Sequence, residues 1–286
     1  MGFLYICCVV LGITTVAYLA KLSARHNVPS FDFTFVLFTV ASVFGYFFAG
    51  FNRVSSSAYT IQLWLISIGA GFGGATAVFI FNRAVRIGHF GYSNAIYRSS
   101  FLIPVILSVI VYNAKLNLTT VAGIVSIVIS IFLVSWSDNV FNRVNGNIRW
   151  FFFIASAFLM SGLPRMGQLL VSHNKLNSSA YLFASYTASA VLLLIIFLFK
   201  PKKIHLLALL YGTIAAFASF AGVYCTIEAL RNLPASVVFP VTLSAPIILG
   251  MLISFLHKER IRPAGWAGVF LGITGILILS FQAYKK

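Results

Sequence analysis

Acid is scarce in this sequence. Only 4 of 286 residues are Asp or Glu, against 20 Lys and Arg, and charged residues make up 8% of the chain. A soluble domain carries about 25% charged residues, so this chain cannot clothe a water-facing surface, and lipid must be its main solvent. Cysteine is rarer still, at 3 residues. Cys7, Cys8 and Cys225 lie inside apolar runs, with neither metal-ligand spacing nor the pattern of a disulfide framework. They read as inert buried thiols, and neither a metal nor a cofactor is expected. No Gly-x-Ser-x-Gly, His-Glu-x-x-His or paired-Asp arrangement is present, which argues against a membrane-embedded hydrolase or protease. No nucleotide-binding loop is visible either, so ATP-driven chemistry within the chain is not expected. No Lys or Arg precedes the first apolar run. That run therefore lacks the positive flank of a cleaved signal and reads as a membrane span.

What the chain does have is apolar bulk: 60% hydrophobic residues, 29 of them Phe. Its net charge of +16 is scattered in single residues and short groups between apolar runs. Nucleic acid would need a clustered stripe and is not expected as a partner; membrane headgroups and topology account for scattered cations. Polar punctuation divides the chain into ten candidate spans at 2–20, 31–49, 61–81, 93–112, 119–136, 148–171, 180–199, 204–229, 235–256 and 264–281. At about 20 residues per span, these leave no room for a soluble catalytic domain. Trp64, Trp136, Trp150 and Trp266 fall at span ends, the interfacial position of indole. Gly69, Gly71, Gly73 and Gly74 in the third span suit close helix contact. In the last, Gly265, Gly268, Gly272 and Gly275 trace one packing face.

Sliding the chain by 145 residues aligns 84–135 with 229–280 without a gap. Ala84 then matches Ala229, Arg86 matches Arg231, Ser99 matches Ser244, and Gly123 matches Gly268. Earlier, an offset of 150 pairs Gly12 with Gly162 and Asn27 with Asn177. The expected fold is all-α and membrane-integral, with ten transmembrane helices as two five-helix repeats, 1–138 and 146–286. Five is odd, so the second repeat is inverted relative to the first. Inverted repeats place a substrate site near the midplane and permit alternating access.

The run Tyr224 to Ser236 holds Glu228-Ala229-Leu230, a tight turn at Leu233-Pro234 and the start of the next helix. Pro240, Pro246, Lys258-Glu259-Arg260 and Gly268, Gly272 and Gly275 follow in order. This pattern resembles the EamA-type repeat of the drug/metabolite transporter superfamily, over essentially the whole chain and most sharply in the second half. In the first half, Phe101 replaces the helix proline, Ala114 stands at the loop-Glu position, and the Trp-Gly of helix one is reduced to Gly12. The resemblance implies a ten-helix transporter with a central cavity lined from both halves. It leaves the substrate open among amino acids, nucleotide sugars, cationic drugs and sugar phosphates.

Charges inside spans are costly and usually functional. Of the 20 Lys and Arg residues, Arg98 and Arg165 are those that fall clearly within the spans. Arg165 follows Pro164, where a bend would expose polar backbone, and Gln168 stands at i+3 on a shared face. Asn94, Tyr97 and Ser99 surround Arg98. Snorkelling to a headgroup is the competing reading for each arginine. Glu228, read as the only acid near a span interior, is a candidate for proton coupling or amine binding, with a local pair to Arg231 as the competing reading. Tyr224, Thr242 and Ser244 are candidate hydrogen-bonding residues, although hydroxyls also bond their own helix. Glu259 with its basic neighbours reads as an interfacial loop cluster.

The expected function is secondary transport of a small metabolite by alternating access, export of amino-acid-like or anionic compounds being the favoured form. The arginines suit a carboxylate or phosphate, and no acid is embedded in helix one, against a cationic-drug exporter. A membrane-embedded enzyme and a non-transporting scaffold are the alternatives. Expected partners are the small-molecule substrate, the lipid bilayer and protons or another coupling ion, for a monomer or homodimer in the inner cell membrane. An even span count puts both termini on one side. The resemblance makes that side cytoplasmic, whereas the Lys and Arg count, twelve on the opposite side against six, places it outside.

Overall fold

A computed structural model describes residues 2–87, 93, 96–114, 117–137, 148–199, 204–256 and 263–284. Among the described residues there are ten α-helices and no strand. They are α1 Gly2–Arg25, α2 Ser30–Phe51, α3 Ile61–Ile87, α4 Leu102–Tyr112, α5 Leu118–Ser137, α6 Ile148–His173, α7 Ser178–Phe199, α8 Leu206–Asn232, α9 Ala235–Leu256 and α10 Pro263–Tyr284. Seven are long and apolar enough to cross a membrane, and shorter apolar helices lie at Ile96–Tyr112, Leu118–Leu133 and Ala235–Ala245. Several helices overrun the apolar runs, so that Lys21, Arg25 and Arg83 lie inside helix ends rather than in loops. Backbone amides stay paired in helix even where side chains meet the headgroups, so hydropathy alone ends the span too soon.

Local chemistry sets the ends. The Asn177 side chain accepts the Ala180 N–H at 2.9 Å and Thr60 Oγ1 accepts the Leu63 N–H at 3.3 Å, satisfying free donors of α7 and α3. Four helices stop on a non-glycine residue in the left-handed region, Asn27, Arg53, Asn113 and Lys175. After Asn27, Arg53 and Lys175 the next residue donates its N–H to the carbonyl five residues back: Val28 to Ser23, Val54 to Ala49 and Leu176 to Val171, at 3.0–3.1 Å. An apolar residue thereby folds back onto the helix it has just left. By this turn geometry Asn27 corresponds to Lys175, two residues before the Asn177 that the sequence offset had paired with it. Asn177 instead opens the next helix.

Contacts divide the chain into two compact units, each drawing on both halves of the sequence: Met1–Thr76 with Leu163–Asn232, and Ala77–Gly162 with Leu233–Lys286. In the first unit α1 packs along α8, and α2 packs against α7 and α8. Hydroxyls fasten these seams. Ser42 and Thr187 lie 2.7 Å apart across α2–α7, and the Tyr186 and Ser219 hydroxyls 2.8 Å apart across α7–α8. Rings of Phe44, Phe48 and Tyr186 surround Phe220 at 4.9–5.9 Å. Helix α3 meets α7 at Gly71, whose carbonyl accepts the Ser189 hydroxyl at 2.9 Å.

In the second unit α10 lies along α5, with α9 against α4, α5 and α10. Ser130 Oγ donates to the Gly268 carbonyl at 2.6 Å. A Cβ on Gly275 would stand 3.0 Å from the Gly123 carbonyl, and one on Gly272 would stand 2.5 Å from Ser130 Oγ. The glycine face of the last helix is a contact surface for α5. Without a hydrophobic drive between helices in lipid, such close backbone approach with interhelical hydrogen bonds supplies the association.

Among the described residues, Ser67 Oγ and Thr39 Oγ1 are the buried side-chain oxygens with no hydrogen-bond partner. Ser67 is fully buried on α3, one turn from Gly71. A buried, unpaired hydroxyl costs about 1–3 kcal/mol. Ser67→Ala is therefore expected to raise the thermal midpoint of the detergent-purified protein; a fall would show that the hydroxyl is used.

Candidate functional site

In the first unit, α6 runs without interruption through Pro164. Proline has no N–H to donate, so the carbonyl of Met160 loses its helical partner. Tyr181, from α7 and only 1% exposed, donates its hydroxyl to the Pro164 carbonyl at 3.2 Å. Arg165 and Gln168 lie just beyond, half-buried, about 60° apart around the helix axis. The segment therefore presents a guanidinium and an amide on one face, next to a face fixed by a buried phenol.

Tyr224 and Glu228 share a face of α8, one turn apart. Tyr224 packs edge-on against Phe48 at 5.6 Å. Glu228 Oε1 accepts from both Ser178 Oγ and Arg231 Nη1 at 2.9 Å, and Arg231 Nη2 donates to the Leu176 carbonyl at 2.8 Å. The local pair with Arg231 forms, and it extends into a clasp from the end of α8 to the turn between α6 and α7. Glu228 is 15% exposed. Glu228→Ala strands two donors and is expected to cost about 1–2 kcal/mol of stability, as hydrogen bonds to a charged group do. Adding Arg231→Ala should restore part of the loss in a thermal melt.

In the second unit, Tyr97 and Arg98 are helical and half-buried, and the chain then tightens into a 3-10 turn at Ser99–Phe101 before α4. Arg98 therefore sits at a change of helix type, where hinges and functional strain concentrate. The Tyr97 ring lies 4.6 Å from that of Phe81, the Ser100 hydroxyl donates to the Tyr97 carbonyl at 2.6 Å, and the Ser161 hydroxyl donates to Ser100 Oγ at 2.6 Å. Ser99 is buried. Trp150, read from sequence as an interfacial indole, donates to Ser93 Oγ at 2.9 Å. Thr242 and Ser244 are both buried in α9. Each donates to its own helix, Thr242 to Val238 O and Ser244 to Pro240 O, at 2.7 Å. Asn94 and the Glu259 cluster lie outside the described residues.

Sequence reasoning passed over Asp32. It stands one residue inside the second span, where Glu228 had been taken as the only acid near a span interior. Yet it is 6% exposed. Its carboxylate occupies the first turn of α2 and accepts the His205 N–H at 3.1 Å, just ahead of α8. Two helix N-termini thus converge on one anion, the arrangement their dipoles favour. The Pro29-Ser30-Phe31-Asp32 run is itself a helix-start signal, so the place of Asp32 in the first turn of α2 was readable. The Tyr181 contact was not, because nothing local links residues 164 and 181.

Long, apolar, hydroxyl-seamed helices define a multi-pass integral membrane protein. The model of the EamA-like transporter family matches residues 1–136 and again 148–281, and the chain belongs to that family. It is accordingly a membrane transporter of the drug/metabolite type, a family of transporters rather than enzymes, with a small-molecule substrate and a lipid environment. A solved structure titled only "Crystal structure of protein" shares the fold, with a TM-score of 0.79 over 99% of this chain and 98% of that one, at 15% identity. No curated protein matches the chain.

Proposed function

We propose that the protein is a secondary transporter that moves small metabolites bearing a carboxylate or phosphate by alternating access, in the direction of export. The observation that carries this reading is the family match over both halves of the chain, together with an Arg within an apolar helix in each unit. In this reading the ten helices all span the membrane as two inverted five-helix repeats, 1–138 and 146–286. Support comes from packing: α2 lies against α7, α4 against α9 and α5 against α10, so each of these positions meets its counterpart from the other half. Both termini then lie on one side of the membrane. Substrate contact is assigned to Arg165 and Gln168 from the first unit and to Arg98, Tyr97 and Ser99 from the second. Glu228, already engaged by Ser178 and Arg231, is better suited to a structural clasp than to carrying protons.

Purified protein in liposomes tests the reading. Counterflow of radiolabelled amino acids and organic acids should be saturable, whereas tetraphenylphosphonium should not be carried. Flux confined to organic cations would overturn the anionic assignment.

A further inference from the structure

We infer that Tyr181 is a positioning residue that sets the rotation of α6 at Pro164 and so aims Arg165 and Gln168; the inference rests on the substrate role proposed for those two side chains. A proline within a helix leaves the segment hinged, because one rung of the backbone ladder is missing and the ring displaces the preceding turn. A hinged segment needs an external contact to hold one orientation. Tyr181 supplies it, since its ring is buried and its hydroxyl reaches the carbonyl of the proline itself.

The surroundings are cut to admit that phenol. Gly167 lies three residues after Pro164 on the same face, and a Cβ there would stand 2.6 Å from Tyr181 Oη and 3.0 Å from Ala70 Cβ. Gly74, one turn further along α3, keeps the Pro164 ring at the edge of contact, 4.0 Å from where its Cβ would be. Helix α3 thus shows α6 only small residues, Ala70 and Gly74, where the phenol and the proline ring must fit. Pro164 and Gly167 form the clamped face. Arg165 and Gln168 follow each by one residue, about 100° around the helix. A rotation of α6 that freed the clamp would swing both side chains together.

Position 165 can be probed without knowing the substrate. In a background with Cys7, Cys8 and Cys225 replaced by Ser, Arg165→Cys would be labelled in liposomes with the sulfonate thiol reagent MTSES. Adding Tyr181→Phe, which keeps the ring and deletes the hydroxyl, should slow labelling at least threefold while the thermal midpoint stays within about 2 °C. Gly167→Ala, which pushes the phenol away, should slow it as much and serves if Tyr181→Phe fails to fold. A change below threefold in the folded variant would overturn the inference, whatever its thermal midpoint. Failure of the underlying substrate role would appear elsewhere, as unchanged flux in Arg165→Ala with labelling still sensitive to Tyr181.

Discussion

Gly71→Leu is expected to abolish folded, monodisperse protein, whereas Gly69→Leu, two residues earlier on the same helix, should purify like the parent. A Cβ on Gly71 would collide with the Ser185 carbonyl oxygen, lie 2.7 Å from Ala188 Cβ and lie 3.0 Å from the Ser189 backbone nitrogen. None of these is the far end of a flexible side chain, so α3 and α7 would have to separate. Overpacking costs about 1–3 kcal/mol even where a core can relax. Here the hydrogen bond from Ser189 Oγ to the Gly71 carbonyl is lost as well. Against a total stability of about 5–15 kcal/mol this is a large fraction. Nothing stands within 4 Å of a Cβ on Gly69. Size-exclusion profiles and thermal midpoints of the two variants decide the matter. Equal behaviour would refute the α3–α7 seam.

Arg165→Ala is expected to reduce kcat/KM for an anionic substrate at least about tenfold, with folding retained. A charge-assisted hydrogen bond contributes about 1.5–3 kcal/mol, which converts to a factor of roughly ten to one hundred in affinity. Arg165→Lys should recover part of the loss, because it keeps the charge but not the planar fork. Initial uptake rates at several substrate concentrations, normalised to monodisperse protein, separate a loss of binding from a loss of fold. Rates equal to the parent would remove Arg165 from the site.

Much of the architecture was legible before any coordinates. The described helices lie within or close to the runs that hydropathy and punctuation marked, with α9 matching at both ends. Some boundaries moved outward, over Lys21, Arg25 and Arg83, while α4 and α8 begin at Leu102 and Leu206, inside the expected runs. The site was less legible. Glu228 offered two readings in sequence, a coupling carboxylate or a partner for Arg231. The ion pair was foreseeable from i+3 spacing, but the added contacts of Ser178 and the Leu176 carbonyl came from another pair of elements.

Composition and pattern by themselves determined that this protein lives in lipid, where its helices run, and the family whose second-half motif it carries. Those properties are local or additive: a span is apolar or it is not, and a turn residue acts on its neighbours. Tertiary structure alone decided which glycine of the third helix is pressed against α7, that Asp32 anchors two helix starts, and that Tyr181 grips the proline beside Arg165. Each depends on the distance between atoms far apart in the chain. Apolar residues all satisfy the bilayer equally well, so hydropathy carries no record of which of them will touch.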